Sequence, residues 1–187
     1  RVLFRSTAVD SVAELQALAD AVAAVVSGAA GGTPPTKAQL ELLGLTGVTA
    51  DNLAAVQQAI ARTADDGTGV DTLGELQSLV TAAVSAAQSA LDIIKAYDGT
   101  PSTMTPTAQT YADAGVTGVG AGNLAAVNSA VALLPSTATD TAAEVQAVVD
   151  VYAAVLGAAD GVDDNDAKPT QAQYATLGVT GWTRRSR

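Results

Sequence analysis

Three glutamates stand at equivalent places in the chain and are the first residues to consider for chemistry. Glu14, Glu75 and Glu144 each lie three residues after a serine or threonine, within the motif Asp-Ser/Thr-x-x-Glu-Leu/Val-Gln. A carboxylate there could act as a general acid or base. The spacing is also that of a capping box, in which the hydroxyl and the carboxylate each accept a hydrogen bond from a free backbone N–H where a helix begins. Because three copies share the spacing, we predict capping and assign no catalytic residue. The capping hydroxyls would be those of Ser11, Thr72 and Thr141.

An acidic cluster in the last linker is the one candidate metal site in the sequence. Its oxygens could bind Ca²⁺, but the spacing is not that of an EF-hand and no glutamate closes the loop. The corresponding linkers at residues 28–34 and 98–105 lack the cluster. We predict a solvated acidic loop and no metal site, and weak Ca²⁺ binding stays open. The oxygen-bearing residues are Asp160, Asp163, Asp164, Asn165 and Asp166.

The stretch Gly-x-Thr-Gly occurs three times and could be mistaken for a phosphate-binding loop. It lacks the preceding strand and the lysine of a P-loop, and the third glycine of a dinucleotide fingerprint. Its first glycine is Gly44, Gly115 or Gly178, and an apolar residue follows each one. We predict that these glycines end a helix in the left-handed conformation, as in a Schellman motif.

Neither histidine nor cysteine occurs in the 187 residues. The chain therefore lacks the commonest general base and transition-metal ligand, and it can form no disulfide and no thiolate metal site. No set of residues suited to chemistry recurs with the motifs. We predict that the protein is not an enzyme and binds no cofactor.

Both ends of the chain differ from the part between them. Residues 1–6 match no repeat and correspond to the translated end of a common sequencing adapter, so we interpret them as non-native. Residues 182–187 depart from the repeat pattern and are either foreign sequence or a genuine basic tail. Without residues 1–6 and 183–187 the net charge changes from −10 to −15.

So acidic a chain repels phosphate backbones and anionic lipid. We predict no nucleic-acid partner. The apolar run at residues 12–30 is interrupted by Glu14, Gln16 and Asp20, so we also predict no membrane insertion. The charge suits a solvated extracellular stalk, although ordinary solubility explains its sign equally well.

Apolar residues recur three and four positions apart after each capping box, which is the pattern of an amphipathic helix. Two shorter helices are predicted before each complete long one. The first opens at a threonine N-cap after a proline, and the second contains Asn-Leu-Ala-Ala-Val. The N-cap threonines are Thr36, Thr107 and Thr170. The long-helix stripe of the first copy is Leu15, Leu18, Ala19, Val22, Val25 and Val26.

The motifs recur in a fixed order, 61 to 71 residues apart, which indicates a tandem array. We predict an all-α fold of tandem three-helix-bundle repeats of about 60–70 residues, arranged end to end. Residues 36–97 and 107–160 would be complete repeats. Residues 7–30 would be the last helix of a truncated repeat, and residues 170–181 the start of another.

Three stretches together resemble the Ala-rich helical repeats of very large, repetitive bacterial surface proteins, described as adhesins or RTX-type exported proteins. They are Gly-Val-Thr-Gly-Val, Thr-Ala-Asp-Asn-Leu-Ala-Ala-Val and Asp-Thr-x-x-Glu-Leu-Gln, and the resemblance covers residues 7–181. It implies export to the cell surface, stalk-like spacing and a part in adhesion or biofilm formation.

Two functions follow as hypotheses. The first is a structural spacer that supports adhesion by other parts of a longer protein, whose partner is an unknown protein or surface ligand. The second is a three-helix binding module, repeated for multivalent capture of a host or matrix protein. We expect a monomer. Exposed apolar or aromatic positions shared by all copies would favour the binding module, and the shared residues are instead caps, glycines and predicted core.

Overall fold

A computed structural model of the chain describes residues 11–63, 69–158 and 168–179. The predictions made for residues 1–6, for the acidic loop at 160–166 and for the tail at 182–187 lie outside these ranges.

Every regular element within the described ranges is helical, so the predicted all-α class is confirmed. Long helices are separated by a short helix and a medium one. A single turn of 3₁₀ helix, Ser136–Ala138, follows the second medium helix. The α-helices are α1 (Val12–Ala29), α2 (Lys37–Leu42), α3 (Leu53–Ala61), α4 (Leu73–Ala96), α5 (Ala108–Asp113), α6 (Leu124–Leu133), α7 (Ala142–Gly157) and α8 (Gln171–Thr176).

The three long helices begin at the predicted capping boxes. In α7, the backbone N–H of Glu144 donates to the hydroxyl of Thr141 at 3.2 Å, and the backbone N–H of Thr141 donates to the Glu144 carboxylate at 3.1 Å. Ser11 with Glu14, and Thr72 with Glu75, make the same pair of bonds. Each N-cap of this kind contributes about 1 kcal/mol to helix stability.

The short helices are closed at both ends by local bonds. Their predicted threonine N-caps are confirmed, and each one forms a capping box that we did not predict, with Gln39, Thr110 or Gln173 as the reciprocal residue. At the other end Gly44, Gly115 and Gly178 have φ of 80°, 86° and 76°. The following backbone N–H reaches the carbonyl five residues earlier in all three copies, which confirms the Schellman motif.

The chain divides into two compact units, Arg1–Ser85 and Ala86–Arg187. In the first unit, one apolar core joins α1, α2, α3 and the first half of α4. Leu40, Val56, Ile60 and Val80 are fully buried in it. Each such side chain contributes about 1.5–3 kcal/mol through its removal from water. The other buried members are Val25, Ala29, Leu45, Val48, Val70, Leu76 and Ala83.

The second unit has a core of its own. Its core joins the second half of α4 with α5, α6 and the first half of α7. Ile94, Tyr111, Val127 and Val145 are fully buried. The short helix α8 packs against α7. The other buried members of the core are Ala90, Ala114, Val116, Val131 and Val149.

The long helix α4 thus supplies residues to both cores. Leu76 and Val80 on its first half belong to the first core, and Ala90 and Ile94 on its second half to the second. The division between the units falls inside this helix, after Ser85. The complete repeats that we predict are instead divided at the linker between residues 97 and 107. This division stays a prediction.

Candidate functional site

The recurring glutamates act as helix caps in the structure. The pKa of Glu144 is lowered by hydrogen bonding with the side chains of Thr141 and then Asp140. The pKa of Glu75 is lowered by hydrogen bonding with Asp71 and then Thr72. A lowered pKa keeps a carboxylate ionised, which suits an acceptor for backbone N–H groups and disfavours a proton donor near neutral pH.

The Gly-x-Thr-Gly turn is tied to the following long helix by a glutamine. Gln77 accepts a hydrogen bond from the backbone N–H of Thr46 at 3.0 Å and donates to the carbonyl of Thr46 at 3.4 Å. Gln146 makes the same two bonds to Thr117, at 2.8 and 3.2 Å. Because this backbone N–H already has a partner, the turn does not offer it to a phosphate. The predicted role as helix stop and turn is confirmed for these two copies. In the third copy Gly178 ends its helix, and Thr180 and Gly181 lie outside the described residues.

The asparagine of Asn-Leu-Ala-Ala-Val closes the loop before the medium helix. Asn52 accepts from the backbone N–H of Thr49 at 2.8 Å and donates to the carbonyl of Gly47 at 2.9 Å. Asn123 makes the equivalent bonds to Gly120 and Gly118, at 2.8 and 2.7 Å. We did not predict this role, although the asparagine heading both copies of the motif was a signal for it.

A side-chain amide on each medium helix is bonded to the proline before the short helix. Gln57 donates to the carbonyl of Pro35 at 2.8 Å, and Asn128 donates to that of Pro106 at 2.9 Å. Asn128 is buried and also accepts from the hydroxyl of Tyr111 at 2.7 Å. Burial, and then the charge of a neighbouring tyrosine, raise the pKa of Tyr111 well above its ordinary value. The phenol therefore stays protonated and serves as a buried hydrogen-bond donor.

Within the described ranges, no group of three or more acidic, histidine or cysteine residues could hold a metal ion. The acidic loop that contains Asp160 and Asp166 lies outside these ranges, so the prediction that it holds no tight Ca²⁺ site stays a prediction.

Within the described part of the chain, each unit has an apolar groove on its surface. The first, of about 110 Å³, lies within the first unit and is lined by Val22, Val26 and Leu73 among others. The second, about 600 Å³ and wide open, lies within the second unit beside Leu133 and Leu134. The capping residue Thr72 lines the first groove, and the capping residue Glu144 and the turn glycine Gly178 line the second. Neither of these two linings brings the recurring glutamates together.

Two helices, α1 and α4, are long and apolar enough to cross a membrane by length and composition alone. Core helices of soluble proteins pass the same test, and α4 has buried residues in both cores. The absence of membrane insertion therefore stays a prediction.

The chain matches no protein-family model, no curated protein and no solved structure. The resemblance to repetitive bacterial surface proteins consequently stays a hypothesis.

Proposed function

We propose that this chain consists of spacer repeats of a large bacterial cell-surface protein, which support adhesion or biofilm formation. We further propose that the units are three-helix-bundle repeats that follow one another end to end. The partner, a protein or surface ligand, would be bound by other parts of the parent protein, and the repeats themselves would be monomeric and extracellular.

The main support is the role of the recurring residues. The glutamates, threonines and glycines of the motifs begin or end helices, while Gln77 and Gln146 hold turns. These recurring residues are used to cap helices and to hold turns. The motifs therefore offer no further recurring group for ligand binding. This is typical of repeats whose role is to provide length.

The exposed apolar residues give a second line of support. A module for multivalent capture would present the same exposed apolar or aromatic side chain on each copy. Here Leu15 is exposed, whereas the equivalent residues Leu76 and Val145 are buried. Among the described residues, the exposed large apolar side chains do not recur at one position in all copies. The binding module remains the alternative function.

The acidic surface is a third, weaker support. With a net charge of −15 outside the two terminal segments, the units repel one another, more strongly at low salt. Such repulsion favours separated units and opposes their association into a compact assembly.

The proposal is tested by adding repeats and measuring size. A copy of residues 71–139 inserted before Asp140 preserves the motif order, because Asp71 and Asp140 are equivalent positions. Small-angle scattering of chains with one, two and three inserted copies should give a maximum dimension that increases by equal steps. Growth as the cube root of chain length would contradict the spacer function and favour bundles packed around a shared binding surface.

A matched control replaces each inserted copy with a Gly/Ser segment of the same length. Such a segment is a flexible coil whose end-to-end distance increases only with the square root of its length. Equal steps in the repeat series, with smaller and decreasing steps in the control series, would support a folded spacer.

A further inference from the structure

The first half of α1 carries an apolar face that is covered at the equivalent positions of the other long helices. Leu15 is 57% exposed, whereas Leu76 is 4% and Val145 0% exposed. Four residues after Leu15, Ala19 is exposed, while the equivalent Val80 and Val149 are buried. Leu18, between them, is partly buried, as is the equivalent Leu79.

The helices that cover the equivalent positions are known from the two cores. Leu76 and Val80 pack in one core with Leu40 of α2 and with Val56 and Ile60 of α3. Val145 and Val149 pack in the other core with residues of α5 and α6. In both units the short and medium helices that precede the long one share its core, together with the second half of the preceding long helix.

Gln16 occupies the sequence position in the first long helix that is equivalent to Gln77 and Gln146 in the other two. Gln77 and Gln146 donate from the side-chain amide to the residue four positions later, at 3.2 and 2.7 Å. Gln16 makes this bond to Asp20 at 2.8 Å. In Gln77 and Gln146 the side-chain oxygen also accepts from the threonine of a Gly-x-Thr-Gly turn. Gln16 is exposed and can present its oxygen in the same way.

We propose that the first half of α1 is a docking surface for a further copy of the short and medium helices. In the docked pair, the residues equivalent to Leu40, Val56 and Ile60 would pack against Leu15 and Ala19. The threonine of its Gly-x-Thr-Gly turn would donate to Gln16. This deepens the proposed function by naming the contact through which one repeat accepts another, and it rests on the repeat architecture alone.

The chemistry of the face favours this occupant over a lipid surface. An amphipathic helix that lies on a membrane carries lysine or arginine on its polar face. Helix α1 has none and instead carries Glu14 and Asp20. A lipid surface would also make no use of a glutamine placed to hold a turn.

The test joins residues 35–70 directly to Asp10 of the chain, so that residue 70 precedes Asp10 as it precedes Asp71 in the original sequence. Amide hydrogen exchange of residues 12–22, followed by mass spectrometry, reports whether the first half of α1 is covered. We expect exchange there to slow by at least about tenfold relative to the original chain. The control carries Leu40→Ser, Val56→Ser and Ile60→Ser in the added copy alone, and should exchange as the original chain does.

Gln16→Ala gives a second readout. It should reduce the protection of α1 clearly more in the extended chain than in the original chain, where it removes only the bond from Gln16 to Asp20 within α1. Equal exchange in the extended chain and its triple-serine control would overturn the proposal. So would protection of α1 in the original chain that increases with protein concentration, because a second whole chain would then be the occupant. Neither result depends on particle length, so the spacer function is judged separately by scattering.

Discussion

The cores of the two units differ in the side chain at one buried position of the short helix. The short helix places Leu40 in the first core and Tyr111 in the second, and both are fully buried. The medium helix differs at the facing position, with Gln57 in the first unit and Asn128 in the second. Both amides donate to the carbonyl of the proline before the short helix. Only Asn128 among these amides also accepts from a tyrosine hydroxyl.

The difference shows which parts of the unit vary and which do not. A buried hydroxyl without a partner costs about 1–3 kcal/mol, so tyrosine in the core needs an acceptor. Asn128 supplies that acceptor and retains the bond to the proline carbonyl. The capping and turn bonds are of the same kind in both units, although residues such as Gln39 and Thr110 differ, because these bonds satisfy backbone groups at helix ends.

The largest expected effect is a difference in stability loss between two equivalent substitutions, one in each core. Asn128→Ala leaves the Tyr111 hydroxyl and the Pro106 carbonyl buried without their partner, and should destabilise the second unit by about 2–4 kcal/mol. Gln57→Ala removes one bond at a partly buried position, and should destabilise the first unit by about 1 kcal/mol. Hydrogen exchange of peptides from each unit, in increasing urea, measures both free energies of unfolding.

A double-mutant cycle measures the energetic coupling between positions 111 and 128. Tyr111→Phe in the Asn128→Ala background removes the unpaired hydroxyl, so it should recover part of the lost stability. Equal losses from Gln57→Ala and Asn128→Ala, with no coupling between positions 111 and 128, would mean that the two cores do not differ in the way described.

A smaller effect tests what the units share. Gly47 and Gly118 have φ of 88° and 82°, and the nearest atom to an added Cβ is Val149 Cγ1, at 3.6 Å from position 118. Alanine at either position meets backbone strain and no clash, so each change should cost about 1–2 kcal/mol. Thermal unfolding followed by circular dichroism checks the size of the two losses.

Gly74→Ala is the matched control for this pair. Gly74 is the second residue of α4 and has open space around its Cβ position, so alanine should stabilise the protein, by less than the ~1 kcal/mol of a helix interior. A loss at only one of the two turn glycines would show that the turns are not equivalent.

The smallest expected effect concerns pH. The folded-state pKa values of Glu75 and Glu144 lie below the ordinary value of 4.5. Their contribution is therefore present above the unfolded pKa and is lost as pH falls through the lower folded pKa. Urea unfolding should show a small loss of stability between about pH 5 and pH 3.

Glu75→Gln together with Glu144→Gln should reduce that loss. A glutamine at this position keeps the capping bond without titrating, as Gln39 and Gln173 already do in the short helices. An undiminished loss of stability in the double variant would show that the capping carboxylates do not cause it.

Much of the local structure could be predicted because its signals lie within a few residues of one another. The pairs Thr141 with Glu144, and Gly115 with the apolar Val116, are complete motifs in the sequence. The bond between Gln77 and Thr46 spans 31 residues, and that between Asn128 and Tyr111 spans 17. Such partners depend on how helices pack, and no local spacing indicates them.

The sequence by itself determined that the chain is helical, where many of its helices begin and end, and that its motifs recur. These features follow from backbone capping and from apolar periodicity, which act over one or two helical turns. The tertiary structure alone decided that α4 supplies two cores and that the first half of α1 is exposed. An apolar stripe shows that a helix face favours burial, but which neighbouring helices cover it depends on contacts between residues far apart in the chain.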